Sequence, residues 1–209
     1  MQSFTPKKYP RTPKVRPQPA PLDAARLNTL ALGYVARFAT SAGKLEAYLL
    51  RKLKGAAGGG WQRQAAVEHD DPGIDPAAMR REVTDLVARF VAAGYVDDQA
   101  FASARSGGLQ RRGYGRRHIA QTLGQAGIAS EVVAAALPGK QAGREAALTL
   151  ARKRRLGPFG AVPLERAGRE KQVAMLLRAG HPLDSARALV NATSIETAED
   201  WARADEEDL

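Results

Sequence analysis

Two segments contain the clearest structural signals in this chain: GYVDDQAFA at residues 94–102 and RRGYGRRHIAQTLGQAGI at residues 111–128. The acidic pair in the first segment is typical of a helix start, where a carboxylate accepts backbone N–H groups. In the second segment, Ile119 and Leu123 give the next helix one apolar side. Gly127 is the residue type that ends a helix in the left-handed conformation. The stretch therefore predicts a small unit of three helices.

The same order of helices is predicted three times, in residues 22–93, 94–137 and 138–194. Each time a long helix is followed by a middle helix with a residue that ends it, and then by a short helix. Apolar pairs mark the middle helices, at Leu45/Leu49, Ile119/Leu123 and Val173/Leu177. A unit of roughly 50 residues has too small a core to be stable alone, so neighbouring units must stack. We therefore predict an all-α fold of tandem three-helix repeats in an elongated, curved array. A single irregular helical bundle is the alternative.

Repeat one contains two further features. The first helix carries an apolar stripe at three- and four-residue steps, formed by Leu27, Leu30, Ala31, Tyr34, Val35 and Phe38. Thr40 and Ser41 then provide side chains that can cap the second helix. Glycines and an Asp-Asp-Pro-Gly run make residues 55–77 a flexible loop between the second and third helices.

Both ends of the chain differ from its body. Residues 1–21 hold six prolines and five basic residues without an acid, which predicts a disordered basic tail. Residues 195–209 hold seven acids against one arginine, which predicts an acidic tail that extends as a frayed helix around Trp201. The chain as a whole has a net charge of +10, and its positive excess favours a partner with dense negative charge.

Several classes of protein are disfavoured. There is no apolar run of the roughly 18 residues that a membrane span needs, and no cysteine for a disulfide or thiolate metal site. His69, His118 and His181 are too widely spaced for a paired metal motif. Residues 134–141 lack the first glycine and the hydroxyl of a phosphate-binding loop. We predict a cytoplasmic protein that is not an enzyme and uses no cofactor or metal.

The candidate binding residues are basic and occur in clusters. In repeat two they are Arg105, Arg111, Arg112, Arg116 and Arg117, with Tyr114 among them; in repeat three, Arg144, Arg152, Lys153, Arg154 and Arg155; in repeat one, Arg51, Lys52 and Lys54. The three cations of repeat one have an alternative explanation, because they suit the negative end of a helix dipole. Clusters at equivalent points of neighbouring repeats would line one side of the array and neutralise phosphates without reading sequence.

The two quoted segments, together with the terminal Ala136-Leu137, resemble the central repeat of the RecX family of bacterial recombination regulators. The resemblance covers about residues 22–192 and is loosest in the third repeat. Leu53 stands where many family members have a glycine. The resemblance implies three tandem three-helix repeats and a partner, the filament of the RecA recombinase on single-stranded DNA.

The sequence is compatible with three functions. The first is a monomeric modulator that binds the recombinase filament, touches DNA through the arginine clusters, and inhibits strand exchange, ATP turnover and co-protease activity. The second is a stand-alone, sequence-independent DNA-binding protein. The third is a structural α-solenoid adaptor, whose binding would survive reversal of the arginine charges.

Overall fold

The computed structural model describes residues 23–56, 76–161 and 165–204. The predicted basic tail and most of the predicted loop 55–77 lie outside the described residues. The helices are α1 (Ala24–Val35), α2 (Ala42–Ala56), α3 (Pro76–Ala92), α4 (Asp98–Gln110), α5 (Arg116–Gly124), α6 (Ser130–Ala136), α7 (Lys140–Arg154), a 3-10 turn (Gly157–Phe159), α8 (Arg166–Arg178), α9 (Leu183–Val190) and α10 (Ile195–Arg203). No strand occurs in this part of the chain, so the all-α prediction is confirmed.

The helices bury their apolar sides in three separate clusters along the chain. The first cluster joins α1, α2 and α3, and includes Leu27, Leu45, Leu49, Leu86 and Phe90. The second joins α4, α5 and α6 around Ala102, Leu109, Ile119 and Leu123. The third joins α7 to α10 around Ala147, Ala151, Leu176 and Leu189. Each group of helices therefore has a small core of its own, as expected of a repeat array.

Local side-chain chemistry explains where several helices begin. Asp23 Oδ1 accepts the N–H of Arg26 at 2.8 Å, and Asp97 Oδ1 accepts that of Ala100 at 2.9 Å. Ser41 Oγ accepts the N–H of Lys44 at 3.3 Å in the first turn of α2. These bonds satisfy N–H groups that have no partner inside the helix.

Repeat one contacts repeat two at the start of α2. The Ser41 hydroxyl donates to the Ala126 carbonyl at 2.5 Å, and Asp98 Oδ1 accepts the N–H of Ala42 at 2.8 Å. The backbones also come close, because a Cβ placed on Gly43 would lie 2.8 Å from the Cα of Gly127. We call these contacts junction one.

Repeat two contacts repeat three in the corresponding way at the start of α5. The N–H of Gly115 donates to the Ala179 carbonyl at 2.8 Å, and that of Arg117 to the Gly180 carbonyl at 3.2 Å. A Cβ on Gly180 would lie 2.4 Å from the backbone nitrogen of His118. In this second contact, junction two, the start of one middle helix again packs on the turn that ends the next. The two junctions extend the array in one direction.

The acidic tail is predicted to continue as a frayed helix around Trp201, and the structure shows that this helix is packed on the third core. Residues Ile195–Arg203 form α10, in which Ala198 and Ala202 are fully buried and Trp201 is half-buried. The two alanines, one helical turn apart, belong to the same core cluster as Ala147 and Ala151 of α7, and Trp201 packs against that cluster. Only the outer side of α10 is acidic.

One residue of the predicted apolar stripes lies outside the core. Phe38 is 56% exposed, because α1 ends at Val35 and the residue falls in the turn before α2. In α8, Leu176 is fully buried, and the predicted Leu177 packs against the same core while partly buried.

Candidate nucleic-acid interface

The C-terminal ends of α4 and α7 bring two of the predicted arginine clusters together. Lys153 Nζ donates to the Arg111 carbonyl at 3.1 Å, across 42 positions of sequence. Arg112 follows Arg111, while Arg154 and Arg155 follow Lys153, and all five side chains are exposed. We call Arg111, Arg112, Lys153, Arg154 and Arg155 the basic surface. It spans the boundary between the second and third repeats.

A pair of glycines shapes the α4 side of the basic surface. Arg112 Nε donates to the Gly108 carbonyl at 3.1 Å, and a Cβ on Gly107 would lie 3.3 Å from Arg111 Nη1. Both guanidinium groups therefore fold back along the last turn of α4, where glycine leaves space for them. The glycines do not interrupt the helix, which continues to Gln110. Cations in this position also complement the negative end of the helix dipole.

The α7 side ends in an unusual backbone conformation. Arg155 has a φ of 55°, in the left-handed region that few non-glycine residues adopt, and it ends α7. The N–H of Leu156 then bonds to the Ala151 carbonyl at 2.9 Å, which closes the last turn. Within the described residues, the side chains of Arg154 and Arg155 form no hydrogen bond or ion pair. Their charges are therefore available to a partner.

Arg116 and Arg117 hold repeat three as well as facing solvent. Arg116 Nη1 donates to the Pro138 carbonyl at 3.1 Å, and Arg117 Nη2 to the Leu177 carbonyl at 2.9 Å. The half-buried Tyr114 stacks on His118, with ring centroids 4.2 Å apart. Arg116 and Arg117, predicted as binding groups, therefore also stabilise the contact between repeats two and three.

Two predicted binding arginines face α10. Arg144 is only 8% exposed and donates to the Ala204 carbonyl, while its Nε has no partner among the described residues. Arg152 forms an ion pair with Glu199 and lies 5.8 Å from the ring of Phe159. The hydrogen bond from Arg152, followed by that from Arg203, holds the pKa of Glu199 below its ordinary value. Arg144 therefore does not belong to the exposed surface, and Arg152 is largely neutralised there.

The remaining predicted cations are not part of the basic surface. Arg51 and Lys52 approach the ring of Tyr48 at 5.8 and 5.5 Å, and Lys54 is exposed in the last turn of α2. Arg105 is exposed on α4.

His181 is a buried group to which the sequence analysis gave no role. It is 3% exposed, and its Nε2 lies 2.9 Å from the carbonyl of Gly113, the residue that follows Arg112 of the basic surface. Burial lowers the pKa of His181 below 6.5, and the bond to Gly113 offsets part of this effect. Its place after Gly180 corresponds to that of Ile128 after Gly127, and this correspondence was the available signal that it is buried.

Within the described residues, no three histidine, aspartate or glutamate side chains are grouped so as to hold a metal ion. None of the described helices is long and apolar enough to cross a bilayer.

Comparisons with known proteins give consistent results. The family model for the second three-helix domain of RecX matches residues 97–137. The regulatory protein RecX of Myxococcus xanthus (strain DK1622) is 31% identical over 191 residues, which cover 89% of this chain and 94% of that protein. The crystal structure of RecX from Lactobacillus salivarius aligns with a TM-score of 0.55 at 16% identity, over 78% of this chain and 91% of that one. Because the sequence match spans nearly the whole of both proteins, the chain belongs to the RecX family of regulatory proteins.

Proposed function

We propose that this protein binds filaments of a RecA-type recombinase on single-stranded DNA and inhibits the strand exchange, ATP turnover and co-protease activities of the recombinase. Membership of a family of regulatory proteins supports the regulatory role. The proposed DNA contact is inferred from the basic surface. There, Lys153 of repeat three donates a hydrogen bond to the carbonyl of Arg111 of repeat two, which brings the cations of both repeats together.

The shape of the molecule suits a filament. A row of repeats gives an extended surface, and a filament offers repeated sites along its length. The basic surface crosses a repeat boundary, so a strand lying along the array would meet cations from both repeats. Contacts of this kind neutralise phosphates without reading base sequence, in keeping with a regulator that acts on any recombinase-coated strand. No catalytic step is part of this proposal.

The central test reverses the charge of four arginines whose guanidinium groups form no described contact between repeats. In the variant with Arg111, Arg112, Arg154 and Arg155 replaced by Glu, we expect filament binding to weaken by more than about ten-fold. The salt dependence should also become shallower, because up to about three fewer counterions are released on a single strand. Fluorescence anisotropy would compare bare and recombinase-coated DNA, with a non-hydrolysable nucleotide, at two salt concentrations. Recombinase ATP turnover would be measured in parallel.

A control variant changes the same number of charges elsewhere. Arg26, Arg80, Arg81 and Arg187 are exposed and lie outside the basic surface. Their replacement by Glu should leave filament binding and inhibition close to those of the unmodified protein. Equal losses in both variants would contradict a localised DNA contact and leave only net charge as the cause.

The second candidate, a stand-alone DNA-binding protein, is distinguished by the same titration. The filament modulator should bind coated DNA much more tightly than bare DNA and suppress ATP turnover. Equal or tighter binding to bare DNA, with a steep fall at higher salt, would favour the second candidate. Unchanged binding by the four-glutamate variant would favour a structural adaptor.

A further inference from the structure

Repeat one contains a group of aromatic rings in mutual contact. Tyr34 of α1 stacks on Tyr48 of α2, with centroids 4.3 Å apart and planes 16° from parallel. Phe38, in the turn after α1, packs against Tyr34 at 5.3 Å with the planes tilted by 47°. The rings thus form a continuous series across α1, its following turn and α2.

Cations lie at the Tyr48 end of this series. The Arg51 guanidinium is 5.8 Å and the Lys52 ammonium 5.5 Å from the centroid of the Tyr48 ring, within the range of cation–π attraction. Neither side chain forms an ion pair within the described part of the chain. The neighbouring carboxylate of Glu46 accepts a hydrogen bond from Thr84 of α3 at 3.2 Å instead. Both positive charges therefore remain available.

Phe38 is the open end of the series. Its 56% exposure results from its position between the end of α1 and the start of α2, where neither helix covers it. We call Tyr34, Phe38, Tyr48, Arg51 and Lys52 the aromatic patch. An exposed ring at one end of a supported stack, with unpaired cations at the other end, offers both groups with which proteins hold single-stranded nucleic acid: bases stack on the rings and phosphates meet the cations.

We propose that the aromatic patch binds single-stranded nucleic acid, with a base stacked on Phe38 and phosphates further along the same strand neutralised by Arg51 and Lys52. The inference rests on the proposed function for the class of ligand, but it names a different surface and a different contact. The basic surface offers cations for the backbone, whereas the aromatic patch offers a ring for a base. Its positive charge favours a polyanion over a neutral apolar partner.

The test separates bases from phosphates. The full chain would be titrated by fluorescence anisotropy with labelled oligothymidylate and with an abasic oligonucleotide of the same length and charge, without recombinase. Phe38→Ala should weaken binding of oligothymidylate by about ten-fold, the effect of losing one stacked base, and leave binding of the abasic strand unchanged. Replacement of Arg51 and Lys52 by Glu should weaken binding of both strands and lower the salt dependence.

Tyr95→Ala is the matched control. Tyr95 is 60% exposed and packs on Phe90 at 5.4 Å, but no cation among the described residues lies over its ring. Its removal should change neither affinity. Phe38→Trp should retain the tight binding of oligothymidylate, and its fluorescence should be quenched when a base stacks on it. Circular dichroism would show that each variant keeps its helices, as expected for exposed side chains.

Two results would overturn the inference. They are no loss of oligothymidylate affinity in Phe38→Ala and an equal loss of affinity for the abasic strand. Because the comparison contains no recombinase, its failure leaves the proposal of filament regulation intact. Conversely, failure of the ATP-turnover assay leaves the stacking result intact.

Discussion

The two junctions between repeats have the same geometry but different chemistry. In junction one, side chains form the polar contacts: the Ser41 hydroxyl donates to Ala126, and Asp98 accepts from Ala42. In junction two, backbone groups bond directly, from Gly115 to Ala179 and from Arg117 to Gly180. In both junctions, a glycine allows the backbones of two repeats to come close together. The stacking of repeats therefore depends on backbone proximity rather than on a particular side chain.

The difference has a consequence for the candidate binding residues. Junction two contains a buried histidine and uses the guanidinium groups of Arg116 and Arg117 as donors to repeat three. Cations near junction two therefore divide into those that hold the repeats together and those, such as Arg154, that are free for a partner. A charge reversal that mixes the two kinds would change stability and binding together.

The largest effect is expected for Gly180→Ala at junction two. Gly180 has a φ of 92°, and a Cβ there would lie 2.4 Å from the His118 nitrogen, so the residue would be strained and also collide with backbone. We expect the free energy of unfolding to fall by about 3 kcal/mol. Urea unfolding followed by circular dichroism would measure it. Gly124→Ala, at an exposed helical glycine with open space, is the control and should be neutral or slightly stabilising.

A smaller effect is expected for Gly43→Ala at junction one. The added Cβ would lie 2.8 Å from the Gly127 Cα, but Gly43 has an ordinary helical backbone. We expect a loss of about 2 kcal/mol in the same urea experiment, because only the collision must be relieved. Gly33→Ala, in open space on α1, should instead gain up to about 1 kcal/mol. A greater loss at Gly43 than at Gly180 would reverse the ranking of the junctions.

The pH dependence of stability should distinguish the junctions further. The folded-state pKa of His181 lies below the ordinary value near 6.5, so the unfolded chain takes up a proton first as pH falls. Its stabilising contribution is complete above about pH 6.5 and is lost as the pH falls through the lowered pKa. His181→Gln keeps a side-chain donor for Gly113 without titrating. The unmodified protein should therefore lose more stability than the variant between pH 7.5 and about pH 5.

Urea unfolding at both pH values would measure this difference. Equal pH dependence in the two proteins would show that His181 does not couple junction two to protonation. Junction one has Ile128 in the corresponding place, and because isoleucine does not titrate, this position adds no pH dependence to stability.

The smallest expected effect is a difference in stability between variants of two arginines in neighbouring clusters. Arg117→Ala removes the donor to the Leu177 carbonyl and should cost about 1 kcal/mol of stability. Arg154→Ala removes no described contact and should change stability by less than about 0.5 kcal/mol. Chemical unfolding of the two variants would show the ranking. Equal costs would mean that the division between junction and binding cations is wrong.

Much of the fold could be predicted because helix starts and ends depend on neighbouring residues. Ser41 and Asp97 accept the N–H groups that their positions predict, and Gly127 adopts a positive φ of 74° after α5. The packing of α10 could not be predicted in this way. Its acidic outer side dominates the composition, and its apolar side consists of two alanines and one half-buried tryptophan. Side chains as small as alanine indicate burial only when a partner helix with small residues lies beside them.

The candidate site was only partly predictable for a related reason. Arg144 and Arg154 look alike in the sequence, both basic and on one long helix, but the first is buried against Ala204 and the second is exposed. Phe38 was assigned to an apolar stripe, although the capping residues at 40–41 imply a turn close before α2. The capping residues therefore indicated that Phe38 lies in a turn, but the three- and four-residue apolar periodicity favoured a continuous helix.

The sequence by itself determined the helical class, the repeated three-helix order, the positive charge and the resemblance to one family, since these follow from local propensity, composition and motif. Tertiary structure alone decided which arginines are free, that α10 joins the third core, and that repeat one presents an aromatic patch. The physical reason is separation along the chain: the bonds from Arg117 to Leu177 and from Arg144 to Ala204 each join residues 60 positions apart. Nothing in the neighbourhood of either arginine specifies such a partner before the repeats are stacked.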